Sequence, residues 1–243
     1  MIRILFALIA LALTPCVASA EQAIVSFTFD DAPDSVLTVG LPLLEKYEYP
    51  ATVYISTRNT TRPDYMDWDA VADAVQKYHC EIGAHTHTHA RLTKLTDAGI
   101  EEELRMSAEE FNKHGYSPVH FASPFGAYDD RVLAILKRHY QSHRAAWPIG
   151  MNTTKPDPYT IASYYLNKET TLEELDTLLE DLQVRGGWVV FQLHHIYPKG
   201  QVVTEPWGTD LLADLVELVH VKGFAVLTVG DALKELHQNT GGT

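Results

Sequence analysis

The sequence predicts an α/β fold, a single β/α barrel closed by seven or eight strand–helix units. Three observations lead there. Apolar runs rich in β-branched and aromatic residues alternate with stretches of helical periodicity. No Ser/Gly-rich linker, low-complexity stretch or internal repeat divides the 243 residues, a length that suits one barrel-sized domain. The first strand is not followed by a Gly-x-Gly-x-x-Gly turn, so dinucleotide binding has no support. An open doubly wound sheet is the alternative architecture.

The chain opens with Arg3, an apolar run from Ile4 to Leu13 and the small-x-small site Ala18-Ser19-Ala20. Residues 1–20 therefore read as a secretory signal peptide cleaved after Ala20, and the apolar run is short for a bilayer span. An uncleaved anchor and a lipid on Cys16 are the weaker alternatives. The expected destination is the periplasm or the exterior, with no stable membrane insertion after cleavage. Residues 21–239 then form one domain and 240–243 a loose tail.

Within that domain, Ala23–Phe29 reads as a strand and Val36–Tyr47 as a helix with one apolar face. Ala51–Ser56, Cys80–Ala84 and Val119–Ser123 are the next strands, with helices at Trp68–Tyr78, Asp97–His114 and Asp130–His139. The helix at 97–114 carries Ile100, Leu104 and Phe111 on one side and ends at Gly115, as a C-cap glycine would end it. Further strands are expected near Ser142–Ala146, Ile161–Leu166, Trp188–Leu193 and Ala225–Thr228. Thr171-Leu172-Glu173-Glu174 has the form of a capping box opening a helix to about Val184.

Without residues 1–20 the chain keeps 18 basic and 32 acidic side chains, a net charge of about −14 with histidine neutral. Such a surface repels phosphate backbones and anionic membranes, which argues against nucleic acid as a partner. Cys80 is then the lone cysteine, so no internal disulfide supports the fold. At the start of a strand it reads as a buried inert thiol.

The unusual polar residues collect at strand ends. Asp30-Asp31 follows the first strand, His85, His87 and His89 the third, and Pro124-Phe125-Gly126 the fourth; His194-His195 ends the strand from Trp188. In a β/α barrel these ends share one face, where active sites lie. Alone, an Asp pair caps a helix or starts a turn. Beside a histidine cluster it suggests a cation held by carboxylate and imidazole. Three histidines within five residues are hard to explain as solvated side chains. Spacing i, i+4 puts His85 and His89 on one side of a helical turn, whereas i, i+2 aligns all three on one face of a strand; spacing leaves the pair open. Two His and one Asp leave positions free on zinc, as in a catalytic site. Trp147, Trp188, Tyr197 and Trp207 are candidate sugar-stacking residues, with core packing the better reading for Trp188.

Four motifs in order resemble the polysaccharide deacetylases, the NodB homology domain. Thr28-Phe29-Asp30-Asp31 resembles their first motif, and His85-Thr86-His87-Thr88-His89 matches His-[Ser/Thr]-x-x-His. Ser123-Pro124-Phe125-Gly126 resembles the end of Arg-x-Pro-[Tyr/Phe]-Gly, and Phe191-Gln192-Leu193-His194 resembles Leu-x-Leu-His. The resemblance implies a distorted (β/α)7 barrel and a divalent metal, zinc by preference, held by Asp31, His85 and His89. It implies Asp30 as general base, His194 as general acid in preference to His195, the Phe125 N–H at the oxyanion and Leu193 against the acetyl methyl. The implied substrate is an acetylated polysaccharide or oligosaccharide containing N-acetylglucosamine. An O-acetyl esterase and a non-catalytic glycan-binding domain are the rival readings. Two features depart from the pattern: the motif arginine falls at Ala122, and the Asp-x-x-Asp-Trp motif is absent around Ala145-Ala146-Trp147. Arg144 is a candidate replacement for that arginine, against an ordinary surface or structural role.

Overall fold

The structure is a computed structural model and describes residues 22–238. The expected signal peptide and the tail 240–243 lie outside the described residues. Seven parallel strands form the barrel: β1 (Ala23–Asp30), β2 (Ala51–Ile55), β3 (Glu81–Ala84), β4 (His120–Ala122), β5 (Ser142–Ile149), β6 (Ile161–Tyr165) and β7 (Gly187–Leu193). Each pairs with the next, and β1–β7 pairing closes the ring. Closure settles the architecture against the open sheet. A two-stranded ribbon, β8 (His195–Ile196) and β9 (Gly208–Thr209), follows β7.

The eighth expected strand has a different role. β10 (Ala225–Val226) pairs only with Ile24 and Val25 of β1, while Phe27–Asp30 pair with β2. It fills the gap where β1 and β2 splay at their starts. The β5–β6 register also breaks between Arg144 and Ile149, which distorts the ring further. Asn152 bridges that region to β7: its amide group bonds Ala162 and Trp188 backbone, and its own backbone pairs with Trp188. A Cβ on Gly187 would stand 2.4 Å from the Asn152 carbonyl oxygen, so only glycine permits this approach.

Local signals place the surrounding helices. Asp67, Thr96 and Asp129 side chains accept N-cap bonds from Ala70, Gly99 and Val132 in α2 (Trp68–Tyr78), α3 (Asp97–Lys113) and α4 (Asp130–Leu136). The Thr171/Glu174 capping box opens α5 (Leu172–Arg185). The expected first helix begins as a π-helix at Val36–Gly40 and ends as α1 (Leu41–Glu45). Two more helices, α6 (Leu212–Lys222) and α7 (Val229–Gln238), had no assignment in the sequence reading.

Strand alternation divides the core. Val25, Phe27 and Phe29 join Leu41, Leu44 and Val71 in the layer between barrel and helices. Ile24, Trp188 and Val190 point inward and pack on Val229, Ala232, Leu233 and Leu236 of α7, which closes the N-terminal end of the lumen. Trp188 Nε1–H donates to Ser26 Oγ at 2.9 Å, leaving its ring fully buried. Cys80 is buried too, and that burial pushes its thiol up to about 12. No helix of the described residues is long and apolar enough to cross a membrane.

Candidate active site

The other end of the lumen is a cavity of about 330 Å³. The inward series Ile24, Ser26, Thr28 of β1 ends there with Asp30, which is buried. The next residue of an extended strand would face the helices. Asp31 instead takes φ +67° and Ala32 φ +57°, and this turn brings both carboxylates to the cavity wall.

The histidine segment is held from behind. His85 Nδ1 lies 2.8 Å from the Ala122 carbonyl oxygen. A carbonyl only accepts, so Nδ1 carries the proton and Nε2 presents its lone pair. Glu103 of α3 accepts from the His87 and Thr88 N–H groups and the Thr88 hydroxyl. His87 turns away to Thr57, 2.8 Å from its hydroxyl.

Asp31 Oδ1 stands 3.7 Å from His85 Nε2 and 3.2 Å from His89 Nε2. One ligand atom from each residue lies within 4.8 Å of the others. Asp31 Oδ1 is buried without a hydrogen-bond partner. An orphaned carboxylate oxygen facing two imidazoles is a donor set that a divalent cation completes. Burial pushes Asp31 up to about 6 and His85 down to about 3, which keeps His85 in the neutral form that ligates metals. Asp31, Ala32, Thr86, His89 and Phe125 all have positive φ around this mouth. Such backbone costs roughly 1–3 kcal/mol per residue and persists where the surroundings hold it.

Asp30 is held differently. Arg144 Nη2 lies 2.6 and 2.5 Å from its two oxygens, and Gln192 Nε2 2.9 Å from Oδ2. Ser163 Oγ, 2.9 Å from Gln192 Oε1, orients that amide. Burial pushes the Asp30 carboxyl up, but Arg144, His85 and His194 together outweigh it and hold it below its usual value. His194 Nε2 is 3.9 Å from Asp30 Oδ2. Burial lowers the pKa of His194, and its Nδ1 has no partner. His195 meets Tyr65 instead and stays out of the cavity wall.

The rim is aromatic. Phe125, Trp147 and Trp207 line the cavity and are more than half exposed. Phe125 sits in a tight turn closed by Gly126 N–H to Ser123 O and Ala127 N–H to Pro124 O, bonds that do not use its own N–H. A Cβ on Gly126 would meet that of Ala146 at 2.3 Å, so this turn can press on β5 only through glycine. Of the other stacking candidates, Trp188 lies in the lumen floor and Tyr197 bonds Thr204 outside the wall.

The sequence model of the polysaccharide deacetylases matches residues 18–141. The chain belongs to the polysaccharide deacetylase family. It is 30% identical over 129 residues, 52% of this chain, to a peptidoglycan-N-acetylglucosamine deacetylase of Bacillus cereus. It is 27% identical over 104 residues, 43% of this chain, to a bifunctional xylanase/deacetylase of Pseudobutyrivibrio xylanivorans. The matches span 58% and 17% of those two relatives. In structure it is similar to the Xyl-CE4 domain of a multidomain xylanase from the hindgut metagenome of Trinervitermes trinervoides, with a TM-score of 0.61 at 16% identity, covering 91% of this chain and 92% of that one. That likeness shows the fold, a (β/α)7 barrel.

Where the deacetylase motif has an arginine and this chain has Ala122, a neighbouring arginine contacts Asp30. Ala122 of β4 is the register partner of Arg144 on β5, so the guanidinium reaches Asp30 from the neighbouring strand at the same height. Leu193 is a correction. It packs in the layer between barrel and helices, because it is out of phase with inward-facing Gln192, and Gln192 lines the cavity in its place. Sequence reasoning missed Gln192, Tyr165 and Glu103. Gln192 was within reach as the residue two before His194 on one strand.

Proposed function

We propose that this deacetylase-family protein is an exported, metal-dependent hydrolase that removes acetyl groups from an N-acetylglucosamine-containing polysaccharide. The observation that carries the reading is an ionised, arginine-clamped Asp30 beside a separate Asp31/His85/His89 donor set in one aromatic-rimmed cavity. A structural metal site has no use for the second carboxylate.

Asp31, His85 and His89 would hold the divalent ion, zinc by the mixed imidazole and carboxylate donors. When bound, it supplies Lewis-acid polarisation of the acetyl carbonyl and acidifies water. Asp30 accepts the proton of the attacking water, since Arg144 and Gln192 keep it ionised and aimed. The Phe125 N–H donates to the oxygen on which negative charge grows as the carbon becomes tetrahedral. His194 delivers a proton to the departing nitrogen as the C–N bond breaks, giving acetate and an amino sugar. The 3.9 Å between Asp30 and His194 puts base and acid side by side, so the proton taken by one is near the other.

Acetate release from N-acetylated and O-acetylated glycans, with and without chelator, tests the reading. Chelator-sensitive release from the N-acetylated set is expected. Release from the O-acetylated set alone favours the O-acetyl esterase reading. No acetate release from either set by metal-loaded protein favours the glycan-binding reading.

A further inference from the structure

We propose that Glu103 of α3 is a positioning residue for the metal, holding the His85–His89 loop in the shape that binds the ion, so that zinc affinity depends on it. The inference deepens the metal-dependent reading and rests on it.

Helix α3 carries six carboxylates. Five of them pair with basic side chains: Asp97 with Arg131, Glu101 with Arg138, Glu102 and Glu109 with Arg105, and Glu110 with Lys113. Glu103 is the one that, among the described residues, binds no cation of the chain. Its Oε2 accepts from two successive backbone groups, His87 N–H at 3.1 Å and Thr88 N–H at 2.8 Å, and its Oε1 accepts from the Thr88 hydroxyl at 2.6 Å. All three donors lie between the ligands His85 and His89.

That loop needs a hold. Thr86 and His89 take φ +68° and +61°, left-handed backbone that persists only where the surroundings fix it. Its carbonyls are tied to the segment after β2: His85 O accepts from the Ser56 hydroxyl, and Thr86 O and His87 O accept from Thr57 and Arg58 N–H. Its N–H groups at 87 and 88 are tied to Glu103. The two ligands differ in how far they depend on this clamp. His85 is fixed through Nδ1 by the Ala122 carbonyl. Among the described residues no hydrogen bond does the same for His89, whose ring rests against those of His85 and Phe125, 5.1 and 4.6 Å between centroids. The place of His89 therefore follows from the backbone just before it, which Glu103 holds. The carboxylate also puts a negative charge behind the loop, and such a charge favours a cation in front of it.

The test titrates metal-free protein with zinc in competition with a chromophoric chelator, and follows acetate release against free zinc. We expect the zinc Kd of Glu103→Ala to rise roughly tenfold to hundredfold, the scale seen when groups behind metal ligands are removed. Glu103→Gln, which keeps an acceptor oxygen but gives up the charge, should show a smaller rise. Glu102→Gln, one residue along the same helix, should show none. The zinc concentration for half-maximal acetate release should shift by the same factor as the Kd, while the kcat reached at saturating zinc stays at the wild-type value. A purely structural role would lower stability to denaturant without moving the zinc Kd of the folded protein. Wild-type zinc affinity in folded Glu103→Ala overturns the proposal; should that variant not fold, wild-type affinity in Glu103→Gln overturns it. A lower plateau with an unchanged zinc midpoint also overturns it. Wild-type protein that binds no zinc removes the metal-dependent reading, and this proposal with it.

Discussion

The two ends of the barrel lumen handle carboxylates in opposite ways. At the N-terminal end, Glu81 accepts from the Thr52 hydroxyl at 2.8 Å and from Gly230 N–H at the start of α7 at 3.1 Å. His120 stands 3.4 Å from the same carboxylate and turns its other ring nitrogen to Ser142. Helix α7 covers this end with apolar side chains. At the C-terminal end, Asp30 is as firmly held, yet Asp31 Oδ1, His194 Nδ1 and the Tyr165 hydroxyl are buried without partners. Left-handed backbone gathers at this mouth, at Asp31, Ala32, Thr86, His89 and Phe125. Buried polar groups are normally satisfied. Where one end of a lumen satisfies them and the other does not, the second end is prepared for something that is not protein.

That contrast breaks hardest at Asp30. Asp30→Asn keeps the shape but loses a base, and acetate release should fall by about 10²- to 10⁴-fold. Metal content by elemental analysis should stay at the wild-type level, because Asp30 stands outside the donor set. An unchanged rate in that variant would take the base role from Asp30.

The floor gives the complementary result. Trp188→Ala empties space beneath the site and should cost about 3–5 kcal/mol in denaturant unfolding. Its metal content should be unchanged wherever the variant is folded. Loss of metal before loss of fold would show that floor and mouth are one unit.

The smallest effect sharpens the comparison through pH. His143 is buried between Ser123 and Tyr159, and burial pushes it down to about 4 from 6.5. Its unfolded form takes up a proton below about pH 6.5 and its folded form does not. Stability should therefore fall as pH drops from about 6.5 towards 4, with a slope near 1.4 kcal/mol per pH unit from this group. His143→Gln should flatten that slope; an identical slope would assign it to other histidines.

Much of this was readable from local pattern. The strand ends of β1, β3, β4 and β7, the capping box at Thr171 and Glu174, and the inert character of Cys80 depend on residues within a few positions of each other. The His85/His89 pairing needed the family motif, since spacing alone allowed a second arrangement. Leu193 shows the limit of motifs: its neighbour Gln192 faces the cavity, and only strand phase says which of the two does. The apolar spacing of α7, with Val229, Ala232, Leu233 and Leu236 at i, i+3, i+4 and i+7, is local and readable; that this face plugs a lumen is decided only once seven strands have closed.

By itself, the sequence determined the alternation of strands and helices and the placement of polar clusters, Asp31, His85 and His89 among them, at strand ends. Tertiary structure alone decided that Arg144, 114 residues away, clamps Asp30, and that Ala122 and Arg144 are partners across one ladder. Periodicity and capping are set by neighbours along the chain, whereas the partner of a buried charge is set by barrel register, which no local run of residues encodes.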